Sequence, residues 1–346
     1  SGKRGNMLSI YLKKLQDNEH LKSYYYKKKK KKIANKEYND IQLGSLLVLI
    51  TEKSLTSESL AAFAQNILNY SNTFNDDSAM IDVCGTGGDG LKTINISTTV
   101  AIILASLGVK VAKHGNRAIS SKSGSSDVLL ELGIPLIDSI DKQREILDKE
   151  NLTFFHAPFF HKLVGEVKDI RAQLGIRTVF NILGPLLHPN RNLQYQLVGL
   201  YHEPVHKLYA ETLQLLGRKH ALVVRGNDGL DEITLCGETK IFEVKDDKIL
   251  EYTIKPEDFG FKQAKHEDFE GGTSKENADV LINILKGIDK SAKRDIVVLN
   301  AMFALYTANV VKSPIDAKEI IMNALDSGKT YKFFQNYIEN INKEVK

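Results

Sequence analysis

Cysteine is scarce in this sequence: Cys84 and Cys236 are the two in 346 residues. Two thiols cannot build a disulfide framework, and neither sits in the close spacing of a metal-binding motif, so their use fits a reducing compartment. Long apolar runs are absent too. No stretch approaches the roughly 18 uninterrupted apolar residues of a transmembrane helix, and the N-terminal region has no apolar core of signal-peptide length. The expectation is a cytoplasmic protein with no membrane contact. No internal repeat is visible. Charge of one sign is also missing once it is located: the formal net charge is +4, and Lys27–Lys32 alone supply six positive charges, leaving −2 for the rest. The basic balance therefore belongs to one local run and is not a nucleic-acid footprint; no nucleic-acid partner is expected.

What is present is an ordinary globular composition, 42% hydrophobic and 26% charged, over a length that suggests about two domains. Residues 7 to 75 read as helical. Leu60, Phe63, Ala64, Ile67 and Leu68 match the i, i+3, i+4, i+7, i+8 pattern, with Thr56 or Ser57 as N-cap. Beyond Ala79 short strands alternate with helices. The strands fall at Met80–Cys84, Val109–Ala112, Leu152–His156, Gln196–Leu200 and Ala221–Arg225, and the helices at Ser97–Leu107, Ser126–Leu132 and Val205–Leu216. Such alternation predicts a mainly parallel sheet covered by helices. Lys240–Tyr252 reads as a hairpin about Asp246-Asp247, and the tail from Ser274 to Ile341 returns to helices, with Gly287 and Gly328 as stops. The predicted class is α/β, with a small all-helical domain (1–75) before a larger α/β domain (76–346).

Four runs carry chemistry. Asp82-Val83-Cys84-Gly85-Thr86-Gly87-Gly88-Asp89-Gly90 takes a strand into a glycine turn, and Asn95-Ile96-Ser97-Thr98-Thr99 opens a helix. Glycines let main-chain N–H groups approach a ligand, and a helix N-terminus adds unpaired N–H groups and partial positive charge; together they suit a phosphate. The G-x-G-x-x-G spelling of Gly85, Gly87 and Gly90 suggests a dinucleotide fold. That fold wants an acidic residue at the next strand end, and this chain has the basic Lys113-His114-Gly115-Asn116-Arg117 there. A Walker A reading fails by one residue, because Leu91 separates Gly90 from Lys92-Thr93. The second run, Lys113 to Asp127, is another cradle for anionic oxygens or a polar loop with Ser125 or Ser126 as a cap. The third, Gly226-Asn227-Asp228-Gly229-Leu230-Asp231-Glu232-Ile233, is a surface turn or a Mg²⁺ site; adjacent side chains on a strand oppose each other, so Asp231 and Glu232 can share an ion only at a strand end or turn. In the fourth, Ile170 to Thr178 followed by Asn181 to Leu186, Arg171 or Arg177 can pair with a substrate carboxylate or lie in a surface ion pair.

Taken in order and spacing, these runs resemble the anthranilate phosphoribosyltransferase family from about residue 40 to 335. The resemblance implies a nucleoside-phosphorylase-type fold, with the cleft between the helical and α/β domains, residues near 171–187 joining the helical domain, and a homodimer formed through it. It implies phosphoribosyl transfer from 5-phosphoribosyl 1-diphosphate to anthranilate in tryptophan biosynthesis. The donor would be held by Gly85, Gly88, Asp89, Thr93, Asn95, Ile96, Ser97, Thr98, Lys113, His114, Gly115, Asn116, Arg117, Ala118, Ile119, Ser120, Ser121 and Ser125. Anthranilate would meet Gly85, His114, Asn116, Arg171 and Pro185, and Mg²⁺ would be bound by Ser97, Asp231 and Glu232. No residue stands out as a general base, and an aromatic amine demands none. The chain departs from its relatives at His161-Lys162-Leu163-Val164-Gly165, where His-Pro-Ala-Met-Lys is common, at Arg225 (commonly His) and at His188 (commonly Asn). Two alternatives are a pyrimidine nucleoside phosphorylase of the same fold and a non-catalytic nucleic-acid binder using the lysine run.

Overall fold

The computed structural model describes residues 42–46, 55–87, 90–115 and 125–346, with main chain only for 125–127. The Lys27–Lys32 run and most of the helical expectation for residues 7–75 lie outside them.

After a helical stretch at 42–46, α1 (Ser57–Asn69) begins at a reciprocal cap. Thr56 Oγ1 accepts from Ser59 N–H at 3.0 Å, and Ser59 Oγ accepts from Thr56 N–H at 2.9 Å; two orphan donors of the first turn are thereby satisfied. The α/β part follows as β1 (Ile81–Gly85), α2 (Ile96–Ser106), β2 (Val111–Gly115), α3 (Ser125–Glu131), α4 (Ile140–Glu150) and β3 (Leu152–His156). Next come the short helices α5 (Lys162–Glu166), α6 (Lys168–Leu174) and α7 (Phe180–Leu183), then β4 (Tyr195–Gly199), α8 (His206–Leu215) and β5 (His220–Gly226). The hairpin β6 (Thr239–Lys245) and β7 (Lys248–Ile254) turns through Asp246 and Asp247, at φ 53° and 60°; two successive left-handed residues make the turn whose twist matches the strands. Helices α9 (Ser274–Leu285), α10 (Ala292–Thr307), α11 (Lys318–Asp326) and α12 (Lys329–Val345) complete the chain. Gly287 and Gly328, the expected stops, take φ 74° and 81° after α9 and α11.

The seven strands run in the order β3-β2-β1-β4-β5-β6-β7. β1 to β5 are parallel, and β6 and β7 are antiparallel. Both faces are buried, with the period of two that a strand imposes. Ile81, Val83, Leu197, Leu222 and Val224 face α2, α9, α10 and α12. Cys84, Val198, Ala221 and Val223 face α1, α8 and the segment 163–187.

One expectation shifts. The strand placed at Val109–Ala112 runs instead over Val111–Gly115. Gly108 turns at φ 88° after α2, and its register is set by Val111 beside Ile81 and by Lys113 and His114 beside Phe154 and Phe155. Lys113 and His114 are therefore strand residues, 5% and 3% exposed.

The connection from β1 through α2 leads to β2 on one side, and that from β4 through α8 leads to β5 on the other. Strand order thus reverses between β1 and β4, and a crevice opens at their carboxyl ends. Ligands of open parallel sheets bind at such a point.

Candidate functional site

The strands bounding that crevice end on paired glycines, Gly85 and Gly199. Both are needed because Asp231 lies against them. A Cβ on Gly85 would stand 2.5 Å from Asp231 Oδ2, and one on Gly199 would stand 1.5 Å from the Asp231 carbonyl oxygen. No side chain fits there without moving the 228–233 turn. Gly87 N–H donates to Asp231 Oδ2 at 2.9 Å, a main-chain bond to a carboxylate that fixes its direction. Thr86 N–H donates to Gly199 O at 2.9 Å, and its hydroxyl accepts from Tyr201 N–H at 3.2 Å. Asp231 and Glu232 sit in a bend, the one setting in which adjacent carboxylates escape the opposite facing of a strand.

On the other side of the glycine turn, α2 starts without a side-chain cap. Among the described residues, Asn95 Oδ1 and Thr98 Oγ1 are buried with no hydrogen-bond partner. Buried polar atoms are nearly always paired, and leaving one unmade costs roughly 1–3 kcal/mol. The Thr98 hydroxyl and the uncapped N–H groups suit anionic oxygens, while Asn95 Oδ1, an acceptor, suits a donor such as a ligand hydroxyl. The segment leading into α2 is fixed from behind: Thr93 bridges Glu270, Ile94 N–H donates to Phe269 O at 3.1 Å, and Gly271 N–H donates to Lys92 O at 2.8 Å. Ser97 lies half-buried in the first turn. Ile96 puts its side chain in the core and its N–H on Ile94 O at 2.9 Å.

β2 ends beside β1, and its last residues rest on a buried polar frame. Asp82 is fully buried; Oδ1 accepts from His114 N–H at 3.1 Å and Oδ2 from Gln196 Nε2 at 2.9 Å. Gln196 Oε1 in turn accepts from Arg218 Nε at 2.8 Å, and its Nε2 also donates to Pro185 O at 2.7 Å. Burial pulls the Arg218 guanidinium down to about 10, with the Asp82 charge opposing the fall.

The His114 ring continues inward. Its Nε2 lies 3.1 Å from His161 Nε2, and His161 Nδ1 lies 2.9 Å from Ser71 Oγ. Ser71 gives its own proton to Ile67 O at 2.8 Å. Each ring also meets a backbone acceptor, His114 at Gly184 and His161 at Leu187, and the direction of each link in the chain follows from the tautomers of the two imidazoles. Burial and the neighbouring imidazole hold His114 well below its ordinary range, and burial brings His161 to about 4, so both rings are neutral near pH 7. His188 closes the cluster, with Nε2 at 2.8 Å from Ala112 O and Nδ1 accepting from Asn190 N–H at 3.0 Å.

Arg171 is half-buried on α6, its guanidinium 5.7 Å from the Phe180 ring centre, and burial lowers its pKa. Pro185 is buried in the 3₁₀ turn Gly184–Leu187. Arg177 lies beyond α6, which stops at Leu174 before Gly175 turns at φ 63°; it is exposed, with its guanidinium 3.7 Å from the ring centre of Tyr201, whose N–H donates to Thr86.

The fold thus brings Gly85, Thr93, Asn95, Ser97, Thr98, Asp231 and Glu232 to the carboxyl end of the sheet, with Gly115 ending β2 beside them. Gly88, Asp89, Asn116, Arg117, Ala118, Ile119, Ser120 and Ser121 lie outside the described residues. Ser125 opens α3, with only its main chain described. Sequence reasoning missed Gly199, whose one signal was a glycine closing a strand. It also missed the Asp82–Gln196–Arg218 frame and the His161–Ser71 support, which join residues remote in sequence.

Comparison with known proteins agrees with this fold. Residues 77–331 match the family described as "Glycosyl transferase family, a/b domain". The anthranilate phosphoribosyltransferase of Thermoanaerobacter sp. (strain X514) is 43% identical, over 93% of this chain and 95% of that protein. That of Methanosarcina acetivorans is 43% identical, over 97% and 90%. Among solved structures, the Thermus thermophilus enzyme superposes with a TM-score of 0.88 at 33% identity, covering 95% of this chain and 98% of that one. The Saccharomyces cerevisiae enzyme in complex with PRPP and Mg gives 0.88 at 27% identity, covering 98% of each.

Proposed function

Because the chain belongs to the anthranilate phosphoribosyltransferase family, we infer that it joins the amine of anthranilate to C1 of 5-phosphoribosyl 1-diphosphate, releasing diphosphate. The observation that carries this reading is the crevice at the strand-order reversal, where the unpartnered Asn95 and Thr98 atoms meet an uncapped helix start.

Each part of the site has a task in that reaction. The first turn of α2 and the Gly85–Gly90 turn hold phosphate oxygens by N–H groups and by the Thr98 hydroxyl. The Asn95 amide suits a ribose hydroxyl, since an amide offers both a donor and an acceptor. Lys113 to Ser121 and Ser125 complete the donor cradle. Ser97, Asp231 and Glu232 would hold Mg²⁺; oxygen donors in a turn suit this hard ion, which is often bound by one or two carboxylates plus substrate phosphates. When bound, the ion neutralises charge on the departing diphosphate. Asp231 is steered by Gly87 N–H and by its tight seat on Gly85 and Gly199, so its carboxylate needs no reorganisation as charge develops.

The acceptor lies against Gly85, Asn116, Arg171 and Pro185. Arg171 forms two parallel hydrogen bonds to its carboxylate, a pairing a planar guanidinium makes and an ammonium does not. The His114 ring, held neutral by burial and by the neighbouring His161, forms an uncharged floor that does not compete for that carboxylate. The amine attacks C1 opposite the diphosphate, inverting that carbon, and its proton leaves afterwards without a strong base. The helical part (residues 1–75 with 171–187) closes over the α/β part (76–346), orients the two substrates, and forms a homodimer; the enzyme works in the cytoplasm.

The test is loss of anthranilate fluorescence on mixing the protein with Mg²⁺, phosphoribosyl diphosphate and anthranilate. Loss that requires all three supports the reading. Phosphorolysis of thymidine or uridine with anthranilate untouched overturns it.

A further inference from the structure

Asp228, Cys236 and His266 have no metal-motif spacing, yet the fold gathers them. One ligand atom from each lies within 4.8 Å of the other two. Asp228 sits in the turn after β5, Cys236 in the approach to β6, and His266 opens the 3₁₀ turn His266–Phe269. The strips carrying them are joined independently of the three side chains: Ala264 N–H donates to Leu235 O at 3.0 Å and Gln263 Nε2 to Cys236 O at 2.7 Å. Asp228 is aimed before any ion arrives. Its Oδ1 accepts from Leu230 N–H at 3.2 Å, and its Oδ2 from Thr234 Oγ1 at 2.8 Å, with His266 Nε2 at 2.8 Å. Gly226 makes room for it, since a Cβ there would stand 2.3 Å from Asp228 Oδ1.

We propose that Asp228, Cys236 and His266 form a binding site for a borderline-soft divalent cation of the Zn²⁺ type, distinct from the Mg²⁺ site at Asp231 and Glu232. Thiolate and imidazole donors favour zinc over magnesium, whose sites are built from oxygen. Zinc bonds of roughly 2.0–2.3 Å place tetrahedral ligand atoms about 3.3–3.8 Å apart, so atoms within 4.8 Å of one another close on an ion with changes in spacing of about 1.5 Å or less. All three residues are half-buried, which leaves an outward position for a water molecule. On binding, the Cys236 thiol proton leaves to solvent. The proton between His266 Nε2 and Asp228 moves by way of solvent to His266 Nδ1, the ring staying neutral, and the cation takes its place.

The ion would act as a clamp on the crevice. Asp228 shares a turn with Asp231, and Phe269, at the far end of the His266 turn, holds Ile94 just before α2. A cation here ties the two walls together. This consequence rests on the reading under Proposed function; the binding itself does not.

The test strips the full chain with a chelator and adds Co²⁺, a spectroscopic stand-in for Zn²⁺. One equivalent is expected to give a thiolate-to-cobalt charge-transfer band that Zn²⁺ abolishes and excess Mg²⁺ does not. Cys236→Ser should remove the band, and His266→Gln should weaken cobalt binding by at least about 100-fold, the upper end for losing an outer-shell partner. The band should persist in an Asp231→Ala, Glu232→Ala variant. No thiolate band in the wild type, an equal band in Cys236→Ser, or loss of the band with the carboxylate pair overturns the proposal. A measurement on the wild type alone stands beside these: one equivalent of Zn²⁺ should protect Cys236 from alkylation, and unchanged alkylation overturns the site even where a variant fails to fold.

Discussion

Replacing Gly85 with alanine probes the contact between the glycine turn and the Asp231 carboxylate. The new methyl would stand 2.5 Å from Asp231 Oδ2 and 3.1 Å from its Cγ. Ordinary contact needs about 3.4 Å or more, so the carboxylate must retreat by nearly an ångström, and it cannot do so while accepting from Gly87 N–H at 2.9 Å. Loss of one charge-assisted hydrogen bond is worth roughly 1.5–3 kcal/mol, and an ångström of misplacement in an active site costs about 100-fold in rate. These estimates agree, since 1.4 kcal/mol is tenfold in rate. Gly85→Ala should therefore lower kcat/KM about 100-fold, followed by anthranilate fluorescence at saturating and at limiting Mg²⁺. Gly85 does not sit in left-handed backbone, so thermal unfolding should change far less than turnover. A variant within twofold of wild type, with unchanged Mg²⁺ dependence, would refute the role given to Asp231.

Three further outcomes follow from the same geometry. Asp231→Ala with Glu232→Ala should weaken Mg²⁺-supported turnover much more than folding, read as turnover against Mg²⁺ concentration; wild-type activity at limiting Mg²⁺ contradicts the assignment. Arg171→Lys should raise the KM for anthranilate about tenfold or more, the worth of one charge-assisted bond, and spare that for phosphoribosyl diphosphate, with the exposed Arg177→Lys as control. His161 has its folded-state pKa depressed to about 4, against about 6.5 for an exposed imidazole in the unfolded chain. The unfolded chain therefore takes up protons first, so the stability is fully present above pH 6.5 and is lost as pH falls towards 4. The loss amounts to about 3 kcal/mol, with His114 adding in the same direction, and His161→Gln should flatten the decline in urea midpoint between pH 7.5 and 4.5.

The elements the sequence foretold best are those whose signals are local. Leu152–His156 was read at its true bounds, and the Asp246-Asp247 hairpin and the glycine stops follow from turn chemistry. β2 was misplaced because its register is set by neighbouring strands, which no local pattern records. Gly85, Asn95 and Asp231 were legible as ligand-shaped runs, but the reason for the glycine at 85, a carboxylate packed against it from a distant turn, was not. Arg171 and Arg177 were equal candidates in the sequence; the end of α6 at Gly175 puts them on different segments. Least legible were contacts between buried polar groups far apart in sequence, such as His114 with His161 and Asp228 with Cys236 and His266. Single-residue chemistry marked each of these as ordinary, and only packing made them neighbours.

The most direct test of the account is to identify the product. With phosphoribosyl diphosphate labelled at C1, anthranilate and Mg²⁺, nuclear magnetic resonance should show the label bonded to the anthranilate nitrogen with inverted configuration, and one diphosphate released for each product formed. Retained configuration, or diphosphate release without a carbon–nitrogen bond to anthranilate, would contradict it.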